Sequence, residues 1–225
     1  MEQYQLLQLF IDGGWMMYPI LLSSLLGLGV IFAKAWTLWR AHAGTARVLR
    51  AVEEATAAGR IDEALAIAAA TPGPTAAILV VGLRRIKGGK LAEGELENAI
   101  ATTGAIEVNF LERGLVVLAT VANVAPLMGF LGTVAGMIIA FGAIEMAGDV
   151  EPRLVAGGIK VALITTAAGL LVAIPVNIAY NFFVTRIDQL IVEMEQGAQK
   201  VVNLAWDLEK RDLLQVRRAS RTKPC

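Results

Sequence analysis

Residues that carry chemistry are scarce in this chain of 225 residues. It has one cysteine, Cys225, and one histidine, His42. A lone cysteine closes no internal disulfide, and a single histidine without a cysteine or second histidine assembles no structural zinc site. Charge is sparse too, at 18% of residues, and 20 basic side chains balance 20 acidic ones. A formal net charge of zero gives no bulk field that would draw the chain to nucleic acid. Over three long stretches charge is missing altogether: 21 residues between Asp12 and Lys34, 31 between Arg113 and Glu145, and 25 between Lys160 and Arg186.

What fills the chain instead is apolar. Hydrophobic residues make up 56% of it and the mean hydropathy is +0.60, above an ordinary globular domain. A helix built from the 31-residue stretch is about 46 Å long, more than the ~30 Å hydrocarbon core of a bilayer. The sequence therefore predicts an all-α membrane protein with three transmembrane helices and long cytoplasmic helical extensions.

Taken in order, residues 1–13 form a short lead without Lys or Arg. A secretory signal would begin with a basic region, so the apolar run that follows is read as a retained span, 14–39. Trp15 and Tyr18 mark one edge and Trp36 and Trp39 the other, as in an aromatic belt. Pro19 falls in the first turn of a helix starting near Tyr18, where a missing N–H costs least. Lys34, Arg40, Arg47 and Arg50 follow, with His42 among them, and this basic flank places the N-terminus outside and residues 40–113 in the cytoplasm.

That cytoplasmic segment holds nine basic and nine acidic residues. Its periodicity predicts helices over 43–58, 61–70 and 74–86, with Gly59-Arg60 and Thr71-Pro72-Gly73-Pro74 as breaks. Lys87-Gly88-Gly89-Lys90 interrupts the pattern. From Leu91 the helix resumes and is expected to run unbroken into the second span, 114–144. The short connection 145–159 holds Gly148, Pro152 and Gly157-Gly158 with Glu145, Asp149 and Glu151; a periplasmic loop is expected over 145–157, then a third span over 158–185. Residues 186–225 read as a cytoplasmic helix ending in a basic tail of Arg217, Arg218, Arg221 and Lys223, attracted to lipid headgroups.

The second and third spans are built unlike plain lipid anchors. Ala125 and Gly129, then Gly132 and Gly136, are small-xxx-small steps that let helix backbones approach closely. Pro126 removes a helix hydrogen bond, and the third span repeats the recipe with Gly169 and Pro175. Thr166, Leu170, Ala173, Asn177 and Asn181 fall on one helical stripe. Thr133 stands alone near the middle of the second span. Tight packing accounts for the glycines, and a buried threonine ordinarily bonds the carbonyl a turn back. Two spans with a hydroxyl and no charge can instead line a narrow wet pathway. Neither contains Asp, Glu, His, Lys or Arg, so a chain that moves protons must take its titratable group from a partner.

The stretch Val124-Ala125-Pro126-Leu127-Met128-Gly129-Phe130-Leu131-Gly132-Thr133-Val134-Ala135-Gly136-Met137 resembles the signature of the MotA/TolQ/ExbB proton-channel family. Gly158-Ile159, Thr165-Thr166-Ala167, Gly169-Leu170, Val172-Ala173-Ile174-Pro175 and Tyr180-Asn181 resemble its third-span motif, and Gly13-Gly14 through Leu22 is similar to ExbB-type members. The resemblance implies a homopentamer whose second and third spans surround a dimer of a single-span ExbD/TolR-type partner. That partner supplies the intramembrane Asp. Proton passage would then drive work on a TonB/TolA-type protein from the bacterial inner membrane. By motif position Thr133 and Thr166 would be the pore hydroxyls, Ala125, Pro126, Gly129, Gly132, Gly136, Gly169 and Pro175 would pack and shape the helices, and Asn177, Tyr180 and Asn181 would lie toward the cytoplasmic mouth.

Val161 stands where some relatives carry Glu, and Lys34 where some carry an acidic residue. A TolQ-type or specialised motility or secretion stator stays open beside the ExbB type, as does a non-conducting oligomeric scaffold, while the four-span flagellar branch fits less well. No enzyme activity, cofactor or metal is expected.

Overall fold

The computed structural model describes residues 2–42, 44–88, 94–148 and 152–221, all in helices or short turns. The expected breaks at Gly89-Lys90, the resumption at Leu91, the loop acids Asp149 and Glu151, and Lys223 and Cys225 lie outside the described residues, as do the side chains of Arg40, His42, Arg217, Arg218 and Arg221.

Eight helices follow one another: α1 (Glu2–Asp12), α2 (Met17–His42), α3 (Thr45–Ala57), α4 (Ile61–Ala70), α5 (Pro74–Lys87), α6 (Glu95–Glu112), α7 (Leu115–Ala147) and α8 (Pro152–Arg221). Three stretches are long and apolar enough to cross a membrane, in Met17–Trp39, Glu95–Met146 and Val155–Leu208. The chain divides into two compact units, one of residues 1–35 and 114–184 and the other of 36–113 and 185–225.

In the first unit, α1 joins α2 through Gly13 and Gly14, and Gly14 takes φ +70°, open to glycine without strain. Asp12 at the end of α1 pairs with Lys160 of α8, Oδ2 to Nζ 2.5 Å, and Phe10 meets Tyr18 edge to face at 5.3 Å. Pro19 sits in the first turn of α2 as expected. Lys34, read as the first residue of the basic flank, is buried, with 7% of its surface exposed.

The division of large and small side chains in this unit is the reverse of a water-soluble core. Ala125, Ala140, Ala162 and Ala173 are buried, while Leu127, Phe130, Ile138, Leu171 and Ile178 are each more than half exposed. Small residues face the neighbouring helix and large apolar ones face away, the pattern of membrane helices whose surroundings are as apolar as their own side chains.

The second unit is an ordinary soluble-type core. Val48, Val52 and Ala55 of α3, Ala64 and Ala68 of α4, and Ile78, Leu79 and Leu83 of α5 are buried together with Leu96 and Ile100 of α6. The part of α8 in this unit adds Ile187, Leu190, Met194 and Val201, spaced three, four and seven residues apart on one helical face. Gly82 is the contact point: a Cβ there would overlap the Val201 side chain and meet Ile100 at 3.4 Å. Exposed charge pairs, Lys200 with Glu53 and Lys87 with Asp62, cover the outside.

Two sequence expectations are corrected. The helix expected to run unbroken from residue 91 into the second span is interrupted at Arg113-Gly114. Arg113 leaves helical geometry at ψ 130° and Gly114 takes φ +89° before α7 begins. A glycine in the left-handed region ends a helix, and nothing in the hydrophobic pattern distinguishes that use from packing. The loop expected over 145–157 is mostly helix: α7 continues to Ala147, Gly148 caps it at φ +67°, and α8 starts at Pro152. Pro152 serves as a helix first residue, and Gly157-Gly158, which read as turn punctuation, lie inside α8.

Candidate functional site

The candidate site is the seam along which α7 and α8 run antiparallel. Its geometry follows from the spacing of small residues. A Cβ at Gly136 would sit 2.7 Å from the Gly158 carbonyl oxygen, and one at Gly158 2.6 Å from that of Gly136. One turn along α7, Gly132 faces Thr165, whose Cβ would lie 2.5 Å from a methyl at Gly132. Gly129 then faces the Thr165 carbonyl at 2.9 Å, and a Cβ at Gly169 would be 2.6 Å from the carbonyl of Ala125. None of these seats admits a side chain. Close backbone approach of this kind gains dispersion and Cα–H···O contacts that larger residues forbid.

The expected packing residues Ala125, Gly129, Gly132, Gly136 and Gly169 are thus brought together on one seam. Pro126 and Pro175 both lie inside continuous helix. Each lacks an N–H, which leaves the carbonyl four residues earlier, Ala122 and Leu171, without its helical donor.

The two threonines picked out by motif position take different partners. Thr166 is half-buried, and its hydroxyl donates across the seam to the Gly129 carbonyl, 3.2 Å. That carbonyl is also the acceptor which the helix ladder assigns to the Thr133 N–H. The Thr133 hydroxyl, likewise half-buried, donates within α7 to the Phe130 carbonyl. Thr133 opens onto a shallow groove of about 550 Å³ along α7, bounded by Met137, Phe141 and Gly142 and ending at Glu145. Toward the other end of this unit's α8, Asn181 donates from Nδ2 to Oδ1 of Asn177, 2.9 Å; both are exposed, and Tyr180 is half-buried.

Thr165 was not among the expected site residues. Its surface is 0% exposed, and its hydroxyl donates to the Val161 and Ala162 carbonyls, both at 3.0 Å. The signal that would have found it is the stripe Gly158, Ala162, Thr165, Gly169 and Ala173, spaced i, i+4, i+7, i+11 and i+15, all buried. Gly158 was missed for the same reason.

Among the described residues no three His, Cys, Asp or Glu side chains gather as a metal site. The uncharged runs 114–144 and 161–185 hold no titratable carboxyl, imidazole or amine. What the seam can do chemically is therefore limited to close packing and to hydrogen bonds from hydroxyls, amides and backbone.

A biopolymer-transport ExbB homologue of Methanothermobacter thermautotrophicus is 33% identical over 190 residues, 84% of this chain and 66% of the relative. The biopolymer transport protein ExbB of Aquifex aeolicus is 41% identical over 85 residues, 38% of this chain and 57% of the relative. The Tol-Pal system protein TolQ of Haemophilus influenzae is 44% identical over 91 residues, 40% of this chain and 39% of the relative. The match thus spans less than two thirds of each of these relatives. Residues 70–196, which contain the whole α7–α8 seam, match the MotA/TolQ/ExbB proton channel family, and the chain belongs to that family.

Proposed function

We propose that this chain is the conducting, force-generating subunit of an inner-membrane motor of the ExbB type. It would convert proton motive force into work on a TonB/TolA-type protein. The observation that carries the reading is the seam itself: two helices in backbone contact, two half-buried hydroxyls, and no carboxyl, imidazole or amine in either uncharged run. A proton pathway needs a group that titrates within the membrane. The reading assigns that group to a single-span ExbD/TolR-type partner carrying an intramembrane Asp, held as a dimer inside a homopentamer of this chain. The basic flank after the first span and the acid-containing lead before it support a periplasmic N-terminus and a cytoplasmic C-terminus. On that topology Asn177, Tyr180 and Asn181 lie toward the cytoplasmic mouth. The second unit and the basic tail would face the cytoplasm.

ExbB-named relatives match over as much as 84% of this chain and the TolQ relative over 40%, which favours the ExbB type. A non-conducting scaffold would use the same glycines but would have no need of hydroxyls open to the outside of the seam. The test is purification from the native membrane with mass analysis of what co-purifies, followed by reconstitution into vesicles. A fixed ratio of this chain to a single-span, Asp-bearing protein, with proton flux across the vesicle wall, is the expected result. A stable oligomer without flux under any gradient would leave the scaffold.

A further inference from the structure

Three helices of the second unit, α3, α5 and α8, run side by side in the same direction, and glycine contacts fix their register. A Cβ at Gly197 of α8 would meet Thr75 at 3.1 Å, Leu49 at 3.4 Å and Leu79 at 3.8 Å, so the three helices close on one another there. One turn on, the Lys200 ammonium of α8 pairs with the Glu53 carboxylate of α3, and Gly82 of α5 lies on Val201. Between this closed level and the turn after α3 the helices enclose a cleft of about 480 Å³. Its floor includes Val52, Leu79, Leu83 and Val201, each at most 5% exposed. Its far end is open: Gly59 lines it at φ +74°, with nothing within 4 Å of an added Cβ.

A pocket of this size, apolar at depth and polar at its mouth, suits one small organic molecule. Charge around the mouth decides which kind. The Lys200 ammonium is already matched by Glu53, and Arg60, next to Gly59, is matched by Glu63 at 3.1 Å. The Thr56 hydroxyl donates to the Val52 and Glu53 carbonyls. That leaves the Asn203 amide and, one turn further along α8, Asp207, an exposed carboxylate that no cation pairs with among the described residues. Asp207 lies about 10 Å along the helix from Lys200. We infer that the cleft is a binding site for a small amphipathic cation, its apolar body on Leu79 and Leu83 and its ammonium or guanidinium against Asp207. An anion of the same shape would meet Asp207 at the mouth, and to reach Lys200 it would have to displace Glu53. The site uses no residue of the α7–α8 seam, so it goes beyond the conducting reading and does not depend on it. Apolar area removed from water supplies most of the affinity, and the exposed carboxylate supplies discrimination.

The experiment uses the full chain in nanodiscs. Cys225→Ser removes its single native thiol, and Ala57→Cys places a new one on the exposed rim of the cleft. Ala46→Cys, exposed on the same helix but outside the cleft, is the reference. The rate of maleimide labelling is followed against added phenylbutylamine, phenylbutanol, phenylbutyrate and propylamine. Expected is saturable protection of residue 57 by phenylbutylamine, with half-saturation on the order of a millimolar or below. The alcohol should bind about threefold more weakly, the scale of one exposed ion pair, and the butyrate more weakly still. Propylamine, which keeps the charge and lacks the body, should not protect. Asp207→Asn, a conservative change at an exposed side chain, should bring the amine to the level of the alcohol. Protection that never saturates or is equal at residue 46 overturns the site. Butyrate binding as tightly as the amine, or unchanged amine binding in Asp207→Asn, overturns its preference for cations.

Discussion

At the scale of single residues, the seam separates glycines that must be glycine from glycines that need not be. At Gly169 and Gly136 an added Cβ would strike a backbone carbonyl, which cannot turn aside as a flexible side chain can. Alanine at either position should lower stability by about 1–3 kcal/mol, the cost of overpacking. Thermal unfolding in detergent, read from loss of the folded oligomer, measures it. Gly142 and Gly157 sit in the same helices with nothing within 4 Å of an added Cβ. Alanine there should be neutral or stabilising by up to about 1 kcal/mol, because it gains helix propensity. Equal losses in all four variants would mean that the spacing of small residues reflects something other than this seam. Gly132 provides a paired test, since its obstacle is the Thr165 side chain. Gly132→Ala should be harmful alone and largely relieved by Thr165→Ala, with a coupling of about 1 kcal/mol or more expected for residues in direct contact.

Elements show where hydrophobic pattern stops being informative. The α6–α7 break depends on one residue, Gly114 at φ +89°. Gly114→Ala should cost about 1–2 kcal/mol, the penalty for a side chain in left-handed geometry. If residue 114 took helical geometry instead, α6 and α7 would merge, and circular dichroism would show more helix rather than less. The sequence read nearly every helix, because helices over 45–57, 61–70 and 74–87 are bounded by Gly or Pro that also stop the periodicity. It misjudged the breaks at which glycine has two uses. Gly114 looked like part of an apolar run and is a turn; Gly157-Gly158 looked like a turn and lies in helix, with Gly158 against Ala140. Composition is the same in both cases and only the partner differs. The adjacent threonines repeat the lesson: motif position singled out Thr166, whereas only the 100° turn between it and Thr165 decides which is the knob in the Gly132 notch. At the other end of the unit, the pair Asp12–Lys160 ties α1 to α8 through side chains exposed by 26% and 58%. At that exposure Lys160→Ala should change stability by less than about 1 kcal/mol. A Tm shift of many degrees would show that the pair is desolvated in the membrane-embedded complex.

For the molecule as a whole, the first unit is incomplete in two ways that point in the same direction. Its large apolar side chains face outward, Leu171 at 77% and Val116 at 76% exposed, so it requires lipid or further protein around it. On the reading proposed above it also needs a proton-binding group, which its uncharged runs 114–144 and 161–185, without carboxyl, imidazole or amine, do not supply. Lipid answers the first need and cannot answer the second. The chain purified alone and placed in vesicles should therefore remain folded and helical yet leave a pH gradient standing as long as empty vesicles do. Addition of the proposed single-span partner with an intramembrane Asp should collapse the gradient, and an Asp→Asn form of that partner should bind equally well and restore the barrier. The three arms separate the possibilities, because binding without flux in the Asn form assigns the titrating group to the partner, whereas flux from the chain alone would place the carrier on a group of this chain outside the uncharged runs 114–144 and 161–185. Hydroxyls, glycines and prolines can shape a path and discriminate among what enters it; they do not exchange protons near neutral pH.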